Sequence, residues 1–264
     1  MRQKTVPDHK PSLPYLETHL TDHCNLNCKG CAHFSPIAKE WFADPDEHQK
    51  DMIQLSKLFS NIETIRLMGG EPLLHPNIEP FLSSTRASFP EANIRIVTNG
   101  ILLSNMPEQF WDACRANNIQ IEITFYPPMA SKIAELSLSK AKGIEFRLNK
   151  KKLFKKFVNL EGNSDIARGF HRCRRRMTCP MLRQGRIYCC FLPAVIGVFN
   201  KHFQAKIPSD GFIDIYELNL SGERAADLLN TPSQTCAYCT GGWDRPPTTL
   251  WTKSEKKIDE WTVA

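Results

Sequence analysis

No stretch of this sequence is long and apolar enough to span a bilayer. The longest apolar run, Cys189 to Phe199, has 11 residues and carries Pro193 and Gly197, whereas a spanning helix needs about 20. The opening residues, MRQKTVPDHKPS, contain no apolar core, so no export signal is expected and the expected location is the cytoplasm. No internal repeat stands out beyond an alternation of strand and helix patterns. Cysteine is too sparse for a disulfide scaffold: ten in 264 residues is far below the roughly 8–10% of such chains. Wholesale disorder is excluded by 41% hydrophobic and 23% charged residues, close to a globular average.

What is present is clustered. The cysteines fall as Cys24, Cys28 and Cys31; Cys173, Cys179, Cys189 and Cys190; Cys236 and Cys239; and Cys114 alone. In a cytosolic chain such spacing argues for metal. Charge is clustered too. Residues 147–186 hold thirteen Lys and Arg against Glu161 and Asp165, a segment charge of +11 within a chain of net +6. Such a stripe is a solvated surface, a dock for an acidic electron carrier, or a site for an anionic substrate. Nucleic acid is not favoured, because aromatics in the stripe are sparse (Phe154, Phe157, Phe170) and no binding motif is visible.

Five apolar, largely β-branched runs read as strands: Tyr15–Leu20, Thr64–Met68, Ile94–Thr98, Ile119–Phe125 and Ile144–Leu148. Four helical patterns lie between them. The first opens with Asp44-Pro45-Asp46-Glu47, an N-cap, a proline at N1 and a capping acid, and continues through Met52, Leu55 and Leu58. The second carries Ile78, Phe81, Leu82 and Thr85. The third carries Met106, Phe110, Ala113 and Cys114. The fourth carries Ile133 and Leu136 and stops at Gly143. Strand–helix alternation predicts an α/β fold with a parallel sheet, whose ligand sites lie at the C-terminal strand ends. After about residue 150 the chain becomes basic and then cysteine-rich, with a hairpin signal at Gln184-Gly185. The expected organisation is a tail over 1–11, an α/β domain over 12–160, a cysteine-rich module over 161–245 and a tail over 246–264.

Cys24-x3-Cys28-x2-Cys31 follows the first strand. Three thiolates suit a [4Fe–4S] cluster with one iron left open. The alternative is a structural zinc ion completed by His23 or His33. Met68-Gly69-Gly70-Glu71-Pro72 ends the second strand, and Thr98-Asn99-Gly100 ends the third. Together these motifs resemble the radical S-adenosylmethionine (SAM) superfamily. The resemblance implies a partial (βα)6 TIM-like barrel, with Cys24, Cys28 and Cys31 on a [4Fe–4S] cluster whose open iron chelates SAM. One-electron cleavage of SAM would yield a 5′-deoxyadenosyl radical that takes hydrogen from a substrate. Gly69, Gly70 and Glu71 would meet the SAM amino group. Thr98, Asn99, Glu122 and Thr124 are candidates for the ribose or carboxylate, and Arg147 for the carboxylate. The superfamily's usual aromatic before the third cysteine is Gly30 here, so His33 or Phe34 is expected to contact the adenine.

Gly185-x4-Cys190 followed by Cys236-x2-Cys239 resembles the twitch module, a shortened SPASM domain. It implies a second [4Fe–4S] cluster on Cys190, Cys236, Cys239 and either Cys173 or Cys179. Cys173 suits the family gap. Cys179 would oppose Cys190 if the hairpin ladder ran outward from Gln184-Gly185. A four-cysteine zinc ribbon is the alternative reading. Cys114 is expected to be an inert buried thiol. Cys189 is a candidate hydrogen donor if the reaction is an epimerisation.

The functional expectation is a radical SAM oxidoreductase or epimerase. Its substrate is expected to be small, polar and compatible with phosphorylation: a sugar, aminocyclitol or nucleotide sugar. A flavodoxin or ferredoxin-type donor would reduce it. Radical modification of a ribosomal peptide and a non-catalytic zinc-binding interaction protein are the alternatives.

Overall fold

The computed structural model describes residues 10–126, 143–173 and 179–263. In chain order its main elements are β1 (Leu16–Thr21), α1 (Pro45–Leu58), β2 (Thr64–Gly69), α2 (Glu79–Ser88), β3 (Asn93–Thr98), α3 (Glu108–Ala116), β4 (Gln120–Phe125) and β5 (Phe146–Lys150). There follow α4 (Ile166–Arg172), β6 (Met181–Arg183), β7 (Arg186–Tyr188), α5 (Phe191–Phe203), β8 (Phe212–Asp214) and α6 (Gly222–Leu229). The five expected strands are present within two residues at either end. The first three helical patterns also form helices; the fourth lies outside the described residues. At α1 the Asp44 carboxylate accepts from the backbone N–H groups of Asp46 and Glu47 at 2.8 and 3.0 Å, with Pro45 supplying the preset φ of a first helical residue.

The strands form one eight-stranded sheet in the order β8-β7-β6-β1-β2-β3-β4-β5. Strands β1 to β5 run parallel, and β6 lies parallel to β1 with Met181 opposite Glu17. Parallel strands with flanking helices are the expected TIM-like architecture; the sixth parallel strand joins at the β1 edge. Alternation along each strand decides what faces where. Ile65, Leu67, Ile94, Ile96, Ile121 and Ile123 enter one apolar core with Met52, Leu55, Phe81 and Phe110 of the helices. Arg66, Met68, Val97, Glu122 and Thr124 point to the other face and line a cavity.

Gln184 and Gly185 turn β6 into β7 with φ of 49° and 71°, the two positive values that a tight hairpin turn needs. This hairpin extends the barrel sheet through β6, so the cysteine-rich half is joined to the barrel by strand pairing. A second core lies beside it, where Phe34 and Ile37 of the loop after β1 meet Phe191, Val195, Ile196 and Phe199 of α5, and Trp261.

Residues 246–263, expected as a tail, are built into the fold. Thr248–Leu250 pairs antiparallel with Leu153–Lys155, and Thr262–Val263 pairs with Val158–Asn159. Trp261 is 1% exposed. Burying so large an aromatic stabilises by several kcal/mol, on the order of 3, which is what holds the segment down.

Candidate functional site

Cys24, Cys28 and Cys31 line one cavity of about 790 Å³ at the C-terminal ends of β1 to β4. The same cavity takes in His33, Gly69, Gly70, Thr98, Asn99 and Thr124, so most of the residues expected around the cofactor meet there. Glycine is required at 69 and 70 by chain packing. A Cβ at Gly69 would lie 2.1 Å from the Thr21 carbonyl oxygen, and one at Gly70 would lie 2.0 Å from that of His23. The two glycines let the β2 end lie against the β1 end, where Gly70 N–H donates to Thr21 O and Glu71 N–H to His23 O.

Three residues expected at the cofactor are not part of the cavity lining. Phe34 is buried in the second core against Phe199 and Trp261, because its positive φ of 56° starts a 3-10 turn there; it does not line the cavity. Arg147 lies on the outer strand β5, is 44% exposed along its side chain and pairs with Glu145. Glu71 is fully buried behind the glycine loop. It accepts from Thr98 Oγ1 at 2.6 Å, Asn99 N–H at 2.8 Å and Leu73 N–H at 3.1 Å, bracing the ends of β2 and β3. Burial pushes its carboxyl up to about 7, against the pull of these hydrogen bonds.

Several cavity residues were not singled out by the sequence. Tyr126 and Phe154 stack at 6.0 Å and 20° on the cavity wall, an aromatic platform of the kind an adenine needs. Lys150 and Lys151 stand beside them. Tyr15, Glu17, Arg66 and Asn149, together with Glu122, which the sequence had named, give the cavity a polar inner surface. Arg66 reaches both oxygens of Glu122 at 2.6 and 2.8 Å, and Asn149 donates to the same carboxylate. Strand alternation puts Arg66 on the same face as the expected Glu122; the pairing of the two across β3 was not readable.

The cysteine loop suits a thiolate-bound cluster. Leu26 N–H lies 3.3 Å from Cys24 Sγ, and Trp251 Nε1–H lies 3.2 Å from Cys28 Sγ. Burial pushes the Cys28 thiol up to about 12, so its thiolate needs a positive partner such as iron. Among the described residues no three His, Cys, Asp or Glu side chains converge closely enough for a single metal ion; a four-iron cube, being larger, holds its thiolates farther apart.

A second, smaller cavity is lined by Cys173, Cys189, Cys190, Cys236 and Cys239, with Gly169 and Gly242. A Cβ at Gly241 would lie 3.1 Å from Cys239 Sγ and 3.6 Å from Cys173 Sγ, so a side chain there would crowd both sulfurs. Cys179 is elsewhere: it lines the first cavity. The ladder of β6 and β7 stops at Met181–Tyr188 and Cys190 caps α5, so Cys179 and Cys190 are not opposed as the hairpin argument expected. Cys189, the expected hydrogen donor, is 2% exposed and faces the second cavity. Cys114 is fully buried on α3, as expected. The basic stripe is dispersed. Arg183 pairs with buried Asp22, Arg172 pairs with Asp244, and Lys150 and Lys151 reach the first cavity; Arg174, Arg175 and Arg176 lie outside the described residues.

Residues 18–146 match the sequence model of the Radical SAM superfamily. Curated relatives include the molybdenum cofactor biosynthesis protein 1 of Dictyostelium discoideum, 39% identical over 92 residues, which are 34% of this chain and 14% of that protein. The GTP 3′,8-cyclase of Nautilia profundicola is 29% identical over 129 residues, 47% of this chain and 39% of that one. The chain thus spans less than half the length of these relatives. Among solved structures, the crystal structure of BtrN in complex with AdoMet and 2-DOIA covers 86% of this chain and 92% of its own, at 18% identity and a TM-score of 0.49. Among the described residues no helix is long and apolar enough to cross a membrane.

Proposed function

From the premise that residues 18–146 form a radical SAM domain, we propose that the chain is an enzyme that abstracts hydrogen from a small polar substrate held in the β1–β4 cavity. The observation that carries this reading is the meeting of three cysteines, the Gly69-Gly70 turn and a polar inner wall in one space. Cys24, Cys28 and Cys31 would hold a [4Fe–4S] cluster. When bound with SAM, that cluster supplies reductive cleavage to a 5′-deoxyadenosyl radical. Thr98, Asn99 and Thr124 offer hydrogen bonds at the strand ends, and Tyr126 with Phe154 offers a face for the adenine. Tyr15, Glu17, Glu122 and Asn149 present donors and acceptors suited to hydroxyl or amino groups. A sugar, aminocyclitol or nucleotide sugar fits that wall. Lys150 and Lys151 would suit an anionic group on it, a feature that the GTP of the cyclase relatives also carries.

A second [4Fe–4S] cluster is proposed on Cys173, Cys190, Cys236 and Cys239, with Cys189 a fifth thiol beside it. The placement of Cys173 with the other sulfurs favours it over Cys179. In a dehydrogenation the second cluster would accept the substrate electron. In an epimerisation the hydrogen donor would be Cys179, which faces the first cavity, and not Cys189. A flavodoxin or ferredoxin-type protein is the proposed reductant.

The test is anaerobic incubation of reconstituted protein with SAM and dithionite, scoring 5′-deoxyadenosine. The expected result is formation in wild type and none in a Cys24/Cys28/Cys31→Ala variant. Substrates deuterated at each carbon then identify the hydrogen that appears in 5′-deoxyadenosine. Equal, background-level 5′-deoxyadenosine from both proteins would overturn the reading.

A further inference from the structure

The C-terminal segment lies directly on the first cysteine loop. Lys29 N–H donates to Thr252 O at 2.9 Å, Ser254 N–H to Asn27 O at 3.0 Å, and Cys28 bridges to Lys253. Trp261 Nε1–H donates to Cys31 O at 2.8 Å. Gly30 turns at φ +67°, and a Cβ there would meet Glu260 O at 3.1 Å, Phe154 Cβ at 3.5 Å and Thr249 Cγ2 at 3.6 Å. The segment therefore packs against the backbone where a side chain at position 30 would start. Within it, the indole N–H of Trp251 is aimed at the sulfur of Cys28 at 3.2 Å. Two backbone contacts hold the chain at Trp251. Trp251 N–H donates to Lys152 O at 2.9 Å, and Leu250 pairs with Leu153.

We infer that residues 248–262 are a strap over the catalytic cluster, and that Trp251 sets the cluster's reduction potential through its hydrogen bond to Cys28. The inference rests on the proposed cluster at Cys24, Cys28 and Cys31. Reduction by an external one-electron donor adds one negative charge, which is shared with the thiolate sulfurs. An N–H dipole pointed at one of those sulfurs stabilises the reduced state more than the oxidised state, and so raises the potential. Covering Cys28, which is 5% exposed, also keeps water from competing for the sulfur. Trp251 touches no substrate in this account. It is a positioning and tuning residue.

The test is an EPR-monitored redox titration of wild type, Trp251→Phe and Ser254→Ala, each reconstituted anaerobically and matched for iron, following the signal that changes on SAM addition. Phenylalanine keeps an aromatic ring in place and removes only the N–H. Ser254→Ala loosens the strap by removing the Ser254–Glu260 bond and leaves Trp251 intact. The expected result is a more negative midpoint for Trp251→Phe and an unchanged one for Ser254→Ala. A variant-free readout is a deuterium-exchangeable proton coupled to the reduced cluster in wild type. An unchanged midpoint in Trp251→Phe, an equal shift in both variants, or no such coupled proton would overturn the inference while leaving the cluster reading intact. A wild-type protein that shows no iron–sulfur signal at all would overturn both.

Discussion

The two cysteine sites are built in opposite ways. Cys24, Cys28 and Cys31 come from eight consecutive residues on one loop, placed by the end of β1. The second cavity collects Cys173 from the end of α4, Cys189 and Cys190 from between β7 and α5, and Cys236 and Cys239 from a 3-10 turn some forty residues later. A local site is written into a spacing. A dispersed site exists only after the chain has folded, so its geometry cannot be read from spacing alone. The first loop is also held from outside, by a segment more than two hundred residues away. Even the local site depends on long-range packing.

The largest effect should come from removing one site at a time. Cys24/Cys28/Cys31→Ala is expected to abolish 5′-deoxyadenosine formation and leave the iron of the second site in place. Cys173→Ala is expected to lower the iron content and weaken the second-site signal, whereas Cys179→Ala leaves the iron content unchanged. Iron analysis with EPR checks both, and equal loss in the two single variants would erase the distinction drawn between these cysteines.

Next in size is the contact that couples the two regions. Trp261 packs on Phe34 beside the first loop and on Phe203 at the C-terminal end of α5, the helix whose N-terminus Cys190 caps. Trp261→Ala should cost about 3–5 kcal/mol in denaturant unfolding, and should expose Cys28 to alkylation in protein without iron. A loss below about 1 kcal/mol would show that the strap does not tie the regions together.

A smaller effect separates the barrel from the cysteine-rich half. Burial lowers His48 from 6.5 to about 3, and its Nε2 lies 2.9 Å from Thr85 Oγ1 between α1 and α2. The folded form keeps the imidazole neutral. That stability is therefore complete above the unfolded value of 6.5 and is lost as the pH falls below it. By about pH 5 the loss is on the order of 2 kcal/mol. His48→Asn should flatten this dependence in unfolding measured across pH, and an unchanged slope would contradict the assignment.

What was legible follows the same division. The strands came from apolar periodicity, α1 from Asp44-Pro45, and the hairpin from Gln184-Gly185, all short-range signals. Cys24, Cys28, Cys31, Gly69, Gly70, Thr98, Asn99 and Thr124 meet in one cavity because strand ends of a parallel sheet converge. Arg147 and Phe34 were misplaced because direction from a strand or loop depends on registers the sequence does not display. The strap was missed although two of the chain's five tryptophans, Trp251 and Trp261, lie in its last fourteen residues. That density of large apolar side chains was the available signal against a free tail.

The most direct test of the proposed two separately built clusters is iron, sulfide and zinc per chain after anaerobic reconstitution, in wild type and in the Cys24/Cys28/Cys31→Ala variant. About eight irons are expected in wild type, falling to about four in the variant. Stoichiometric zinc without cluster iron, or loss of all iron in the variant, would contradict the proposal.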